Sequence, residues 1–438
     1  MSDKEAQFID VSHLTVGHYI YLDVGWLGHP FTLNNFRIAS TEQIEAIRRL
    51  GLERIRYSPE LSQIDALPFA DAEPEEATAG AAPVSADPKA PEAQANVERR
   101  RALLAAQRAR LQECENRFIE ATQTYRQALE MAHARPTEAR QRSEALVDGL
   151  IGQLDGGGGE SYVRLLSEKA GEKMSLHAVN VTILSMLLGR TLGFDSDTLR
   201  ALGLGALLHD IGKLDLPDRL RWSDDRFSVA ERELYREHVG YGVNLACRMG
   251  LPKTVQLIIG QHHEFADGSG YPQQVLAEQI IPAARVVALV NHYDTLCNPA
   301  NPALAITPHE AMSLIYAQSR HQFEKITLTT FIRMMGVYPP GSVIELNDGR
   351  FAMVASVNSN RTLRPRIIVH DPAVPPAEAL VLDLEQEPGL GIRRSLKPVQ
   401  LPRAAYDYLS PRKRLCYFFE RGREGEPAPA REDESAQP

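Results

Sequence analysis

The stretch Leu208-His209-Asp210-Ile211-Gly212-Lys213 closes an apolar run that begins at Ala201 and sets an imidazole beside a carboxylate. Neighbouring His and Asp side chains can share one divalent metal or bridge two. Around this pair, between Ser175 and Asp294, lie His177, His238 and the doublet His262-His263. After the doublet comes an acidic, glycine-rich run, Asp267-Gly268-Ser269-Gly270-Tyr271-Pro272. A single histidine is more often a core or surface residue than a ligand. An ordered set of imidazoles around one aspartate is much stronger, and it suits a binuclear metal centre.

The chain outside this region divides by composition. Residues 1–65 read as a small α/β unit, with short apolar alternations such as His18-Tyr19-Ile20-Tyr21-Leu22. A helical pattern follows from Thr41 to Leu50, with Thr41 as its N-cap and Gly51 as its stop. His13, His18 and His29 have no carboxylate partners at matching spacing and read as surface or structural residues. Residues 66–96 are rich in Ala, Pro, Glu and Asp and cannot bury enough apolar surface to offset chain entropy, so a disordered linker is expected.

Residues 97–155 form a helical connector that Pro136 divides, and they either cover a core or serve in signalling or dimerisation, so a homodimer is one expected assembly. Gly156 to Gly159 read as a hinge. The histidine-rich region, 160–336, is helical by its period and ends before Pro339-Pro340-Gly341. Residues 337–421 read as a β-rich appendage, with strands at 343–346, 351–357, 366–370 and 379–384 and a hairpin turn at Asn347-Asp348-Gly349-Arg350. Residues 422–438 read as a disordered tail.

Composition limits the function classes. With 438 residues, 43% of them hydrophobic, the chain can hold two or three domains. A net charge of −9 argues against binding a nucleic-acid polymer, although one small anion remains an acceptable ligand. Cys114, Cys247, Cys297 and Cys416 form no CxxC pair, so neither a zinc ribbon nor a disulfide framework is expected. With no uncharged apolar stretch of membrane-spanning length, a soluble, cytoplasmic protein is expected.

The motif set as a whole resembles the HD-GYP family, metal-dependent phosphohydrolases that degrade the bacterial second messenger cyclic di-GMP. It comprises His177, the run from Leu208 to Lys213, His238 with Gly240 and Gly242, and Gln261 through Pro272. A last segment, Ile281 to Val287, leads to Asn291 and Asp294. The N-terminal unit is similar to the small domain of unknown function that often precedes such domains, most visibly at Gly25 to Phe31. The resemblance implies a mainly α protein: an all-helical HD-type metal phosphohydrolase domain with a small N-terminal α/β domain and a small C-terminal β-rich appendage.

It also implies a site. Two divalent ions, iron or manganese, are expected, one held by His177, His209 and Asp210 and the other by His238, His262 and His263, with Asp210 shared and Asn291 as a weaker ligand. Such a pair supplies a nucleophilic water and neutralises phosphate charge. Asp210 and Lys213 are the expected catalytic residues, and Lys213 also binds a substrate phosphate or assists the leaving group. Glu264 is expected to orient a histidine of the doublet. Asp267, Gly268, Gly270, Tyr271 and Pro272 shape a loop that the resemblance associates with docking of proteins that synthesise cyclic di-GMP. Asp294 has a structural role.

Three departures from the family pattern stand out. Lys173 occupies the position where some members hold a third metal through Glu, Asn291 replaces a ligand aspartate, and Ala300-Asn301-Pro302-Ala303 replaces an Arg-Pro-Tyr-Arg stretch. Arg285 is expected against a carboxylate, which leaves Lys213 as the leading phosphate-binding cation. The expected function is therefore hydrolysis of cyclic di-GMP to pGpG and onward to GMP. The alternatives are a nucleotide sensor or docking protein that does not hydrolyse, and a phosphohydrolase of another nucleotide.

Overall fold

Apolar residues alternating with polar ones in the first sixty positions build an antiparallel sheet, as half-buried strands require. The computed structural model describes residues 7–22, 31, 35–63, 90–155, 161–166, 173–223, 226–358, 364–387 and 389–421. Most of the expected linker, Gly25 to Pro30, the glycine hinge and the tail at 422–438 lie outside these residues. The chain divides into two compact units.

The first unit contains residues 1–109, 344–352 and 367–410. Strands β1 (Gln7–Asp10), β2 (Tyr19–Tyr21), β3 (Asn35–Arg37) and β4 (Arg54–Ser58) form a sheet in the order β1-β4-β2-β3, and helix α1 (Thr41–Arg48) follows β3. Val11, Ile20, Ile38, Ile44, Ile47 and Ile55 close the core. The N-cap of α1 is Ser40, whose hydroxyl accepts from the Gln43 amide, and not Thr41, which is the first helical residue. His18 is buried and its Nδ1 is bonded to Thr15, which gives it a structural role. The hairpin turn forms at Asn347–Arg350, with Gly349 at φ +85° and an Asp348–Arg350 ion pair inside it.

The second unit contains residues 110–343, 353–366 and 411–438. Helix α2 (Ala90–Met131) begins within the stretch expected to be linker. Pro136 then opens α3 (Pro136–Asp155), at a position where its missing N–H costs nothing. After strand β5 (Ser161–Leu165) come α4 (Lys173–Thr191), α5 (Ser196–Leu208), α6 (Val229–Arg236), α7 (His238–Arg248), α8 (Lys253–Gln261), α9 (Pro282–Cys297), α10 (Pro308–Gln318) and α11 (Lys325–Met335). Helices α4, α5, α8 and α9 pack together, and α7 packs on a 3₁₀ turn at Ile211–Asp215. Leu204, Leu207, Leu208, Leu245, Val255 and Ile259 lie at the centre of the core.

Two expectations are corrected by this arrangement. The helical domain is not all-helical: β5 pairs antiparallel with Tyr417–Arg421 on one side and with residues 356–358 on the other. The region 337–421 is not one appendage either, because its residues are shared between the two units. Burial on both faces explains the missed strand, since Arg164 in β5 is buried and paired with Glu420 at 2.9 Å, which erases the apolar–polar alternation. Among the described residues no helix is long and apolar enough to cross a membrane.

Candidate metal centre

Each of three histidines sits at a helix end. His209 follows the last residue of α5, His262 follows the last residue of α8, and His238 comes two residues after α6 ends. The last carbonyls of a helix lack intrahelical donors. In each case the imidazole Nδ1 donates to the carbonyl three residues back: His209 to Ala206 at 2.7 Å, His238 to Tyr235 at 2.5 Å and His262 to Ile259 at 2.7 Å. His177, on α4, uses its Nδ1 differently, donating to Asp294 Oδ2 of α9 at 2.6 Å.

These bonds fix the tautomers, with the proton on Nδ1 and a bare lone pair on Nε2. All four Nε2 atoms then converge on one carboxylate. His209 and His177 lie 3.4 and 3.7 Å from Asp210 Oδ2, while His238 and His262 lie 3.5 and 3.8 Å from Oδ1. The ligand atoms form two groups that share Asp210: His177, His209 and Asp210, and Asp210, His238, His262 and His263.

Facing lone pairs around a carboxylate repel one another. The His209 and His177 Nε2 atoms are 3.3 Å apart, and those of His238 and His262 are 3.4 Å apart. Asp210 Oδ1 and His263 Nε2 are buried with no hydrogen-bond partner, a condition costing about 1–3 kcal/mol for each group. Burial pushes the His238 imidazole down to about 4 and holds His262 and His263 well below the usual histidine range, so all three are neutral at pH 7. Burial opposes the Asp210 charge, but the Lys213 ammonium holds its carboxyl well below the ordinary value. A donor set of neutral imidazoles and one ionised carboxylate fits divalent cations.

The other expected residues are distributed around this core. Lys213 Nζ donates to Asp210 Oδ2 at 2.6 Å and lies over the rings of Tyr235 and Trp222. Gly212, between them, comes so close to α7 that a Cβ would lie 1.9 Å from the His238 carbonyl oxygen. Asn291 and Lys213 line a cavity of about 980 Å³ together with His177, His262, His263 and Tyr271. Asp294 is fully buried and orients His177. Arg285 pairs with Glu324 at 2.6 Å, away from the histidines, as expected.

Glu264 differs from expectation. Its carboxylate accepts from the amides of Gln273, Gln274 and Val275, so it shapes the loop and does not orient a histidine. Within that loop Asp267 accepts from Ser269, Gly268 has φ +76°, and a Cβ on Gly270 would collide with the His263 carbonyl. The Tyr271-Pro272 peptide is cis, and the Tyr271 ring stacks on His263 with centroids 4.5 Å apart. The side chain of Lys173 lies outside the described atoms.

Reading the sequence alone missed a polar clamp. Asn180 Nδ2 donates to Asp294 Oδ1 at 3.0 Å and to Leu415 O at 2.7 Å, and its Oδ1 accepts from Tyr417 N. Asn298 Nδ2 donates to the same two oxygens, at 2.9 and 3.0 Å, and its Oδ1 accepts from Leu415 N at 2.8 Å. The clamp thus ties the carboxylate behind His177 to the start of the C-terminal strand. One half of it is signalled locally, because Asn180 follows His177 by three residues on one face of α4.

A histidine–aspartate cluster of this kind, on a helical scaffold, is that of an HD domain, and residues 161–325 match the family model described as HD domain. Residues 7–142 match a domain of unknown function, DUF3391. The chain thus resembles an HD domain preceded by a DUF3391 domain. A Pseudomonas aeruginosa protein named as a cyclic di-GMP phosphodiesterase is 29% identical over 82% of this chain and 84% of its own length. The cyclic di-GMP phosphodiesterase response regulator RpfG of Xanthomonas campestris is 29% identical over 34% of this chain and 39% of its own length. A solved structure of an HDG"Y"P protein from Bdellovibrio bacteriovorus, 17% identical, aligns over 75% of this chain and 98% of its own, with a TM-score of 0.39.

Proposed function

We propose that the protein is a metal-dependent phosphodiesterase that opens cyclic di-GMP to linear pGpG and carries it on to GMP. The observation that carries this reading is the convergence of four Nε2 lone pairs, each with its Nδ1 already committed, on the shared carboxylate of Asp210. His177, His209 and Asp210 would hold one divalent ion and His238, His262, His263 and Asp210 the second, with iron and manganese suited to such mixed ligation. When bound, the pair activates water and neutralises charge on a phosphodiester. The protein's own contribution is to keep the imidazoles neutral and aimed, and to shape a cavity large enough for a dinucleotide. In the same reading, the exposed rim of the glycine-rich loop, at Ser269, Pro272 and Gln273, docks proteins that synthesise cyclic di-GMP.

Loading with Fe(II) or Mn(II) without oxygen, followed by product analysis on cyclic di-GMP, tests the proposal. Linear pGpG and then GMP are expected. Binding without cleavage would instead mark a sensor, and cleavage only of other nucleotides would mark a different phosphohydrolase.

Lys213 supplies the ammonium nearest Asp210, where charge develops on the phosphate. Lys213→Met should therefore lower kcat by about 100-fold while metal content stays unchanged. Loss of metal in parallel with activity would show that the lysine only supports the Asp210 geometry.

Asn291 lines the cavity on the α9 face that also carries Asp294, three residues on. If it is a ligand, Asn291→Asp adds a charge at a metal position, and metal affinity should rise by about tenfold. Unchanged affinity with lower thermal stability would place the new carboxylate away from the ions, buried and uncompensated.

A further inference from the structure

A cyclic dinucleotide carries two phosphodiesters, and the metal centre with Lys213 accounts for one. Among the described residues, three lysine or arginine side chains line the cavity: Lys213, Arg226 and Arg414. Lys213 is bonded to Asp210, and Arg226 is engaged elsewhere. Arg414 has no hydrogen-bond or ion-pair partner among the described residues, although it is partly buried. The cavity wall from Pro299 to Pro302 offers no cation.

The backbone beside Arg414 is held by side-chain hydrogen bonds. Leu415, the next residue, is gripped at both N and O by Asn298 and at O by Asn180, and both asparagines bond Asp294 behind His177. The clamp holds the backbone next to Arg414, whose uncommitted, planar guanidinium lines the cavity that contains the metal ligands. Such a group suits bidentate binding of a phosphate.

We infer that Arg414 holds the second phosphate of a two-phosphate substrate, the one not undergoing cleavage. This rests on the phosphodiesterase reading for the identity of the ligand, cyclic di-GMP. Removing a charge-assisted bond to that remote phosphate weakens binding and leaves the chemistry at the other phosphate in place.

The test uses the full chain with Arg414→Ala and Arg414→Lys. In metal-loaded protein, KM for cyclic di-GMP should rise about 10- to 100-fold in the alanine variant and less in the lysine variant, with kcat nearly constant. Hydrolysis of bis(p-nitrophenyl) phosphate, which has a single phosphate, should be unchanged. Equilibrium dialysis of cyclic di-GMP against metal-free protein should show the same order of affinities, and thermal unfolding should match the wild type. Unchanged KM and Kd would overturn the inference, as would an equal loss toward both substrates. If the wild-type chain binds cyclic di-GMP without cleaving it, the phosphodiesterase reading fails while the Kd comparison still decides the role of Arg414. If it neither binds nor cleaves the nucleotide, both fail.

Discussion

Asp210→Ala is expected to remove both metal ions and all measurable phosphodiesterase activity, whereas His209→Ala should remove one ion and leave the other. The difference follows from the geometry, because Asp210 belongs to both ligand groups and His209 to one. Loss of an outer partner of a metal ligand costs roughly 10- to 100-fold in affinity or activity, and loss of the shared carboxylate should exceed that. Alanine also leaves the Lys213 ammonium buried without its 2.6 Å partner, so a stability loss of about 3 kcal/mol is expected. Asp210→Asn keeps the shape of the side chain and separates loss of charge from loss of packing. Metal content per chain, turnover and thermal unfolding on one preparation provide the check. Retention of two ions in either Asp210 variant would refute the bridging role.

Gly212→Ala should be the most damaging substitution that replaces no candidate ligand. Its Cβ would stand 1.9 Å from the His238 carbonyl oxygen and 2.3 Å from the Gly242 nitrogen, both backbone atoms that cannot swing aside. The 3₁₀ turn and α7 must separate, at a cost of about 3 kcal/mol, and Asp210 and Lys213 flank the moving residue. Loss of stability and weaker metal binding should therefore appear together. Gly240→Ala is the control, since its Cβ would meet nothing within 4 Å, and in a helix this change should be neutral or stabilising by up to about 1 kcal/mol. Equal effects from the two variants would show that backbone proximity is not the cause.

The candidate ligands were legible in the sequence because their chemistry lies in residue type and order: imidazoles at 177, 209, 238, 262 and 263 around one His-Asp pair. What aims them was not. The acceptors for His209, His238 and His262 are main-chain carbonyls, which any residue supplies, and the acceptor for His177 lies 117 residues away. Glu264 was misassigned because its adjacency to the doublet suggested a contact, whereas the turn after His263 carries it toward the amides of 273–275. The strands in residues 343–383 were readable from β-branched runs and an Asn-Asp-Gly turn. Strand β5 and its C-terminal partner were not, since Arg164 and Glu420 satisfy each other inside the sheet. Arg414 became visible as a candidate only when folding brought it to a cavity built from helices far earlier in the chain.

The asparagine clamp also has a consequence for the order in which the protein is made. Translation delivers every imidazole of the centre well before Leu415 and Tyr417, and Asn180 must wait for partners 235 and 237 residues downstream. Closing such long loops is slow and entropically costly. While a ribosome still holds the last strand, Asn180 and Asn298 lack their partners at Leu415 and Tyr417, so the asparagines that bond Asp294 are not yet anchored. Completion of the clamp is thereby a late event in the folding of each chain.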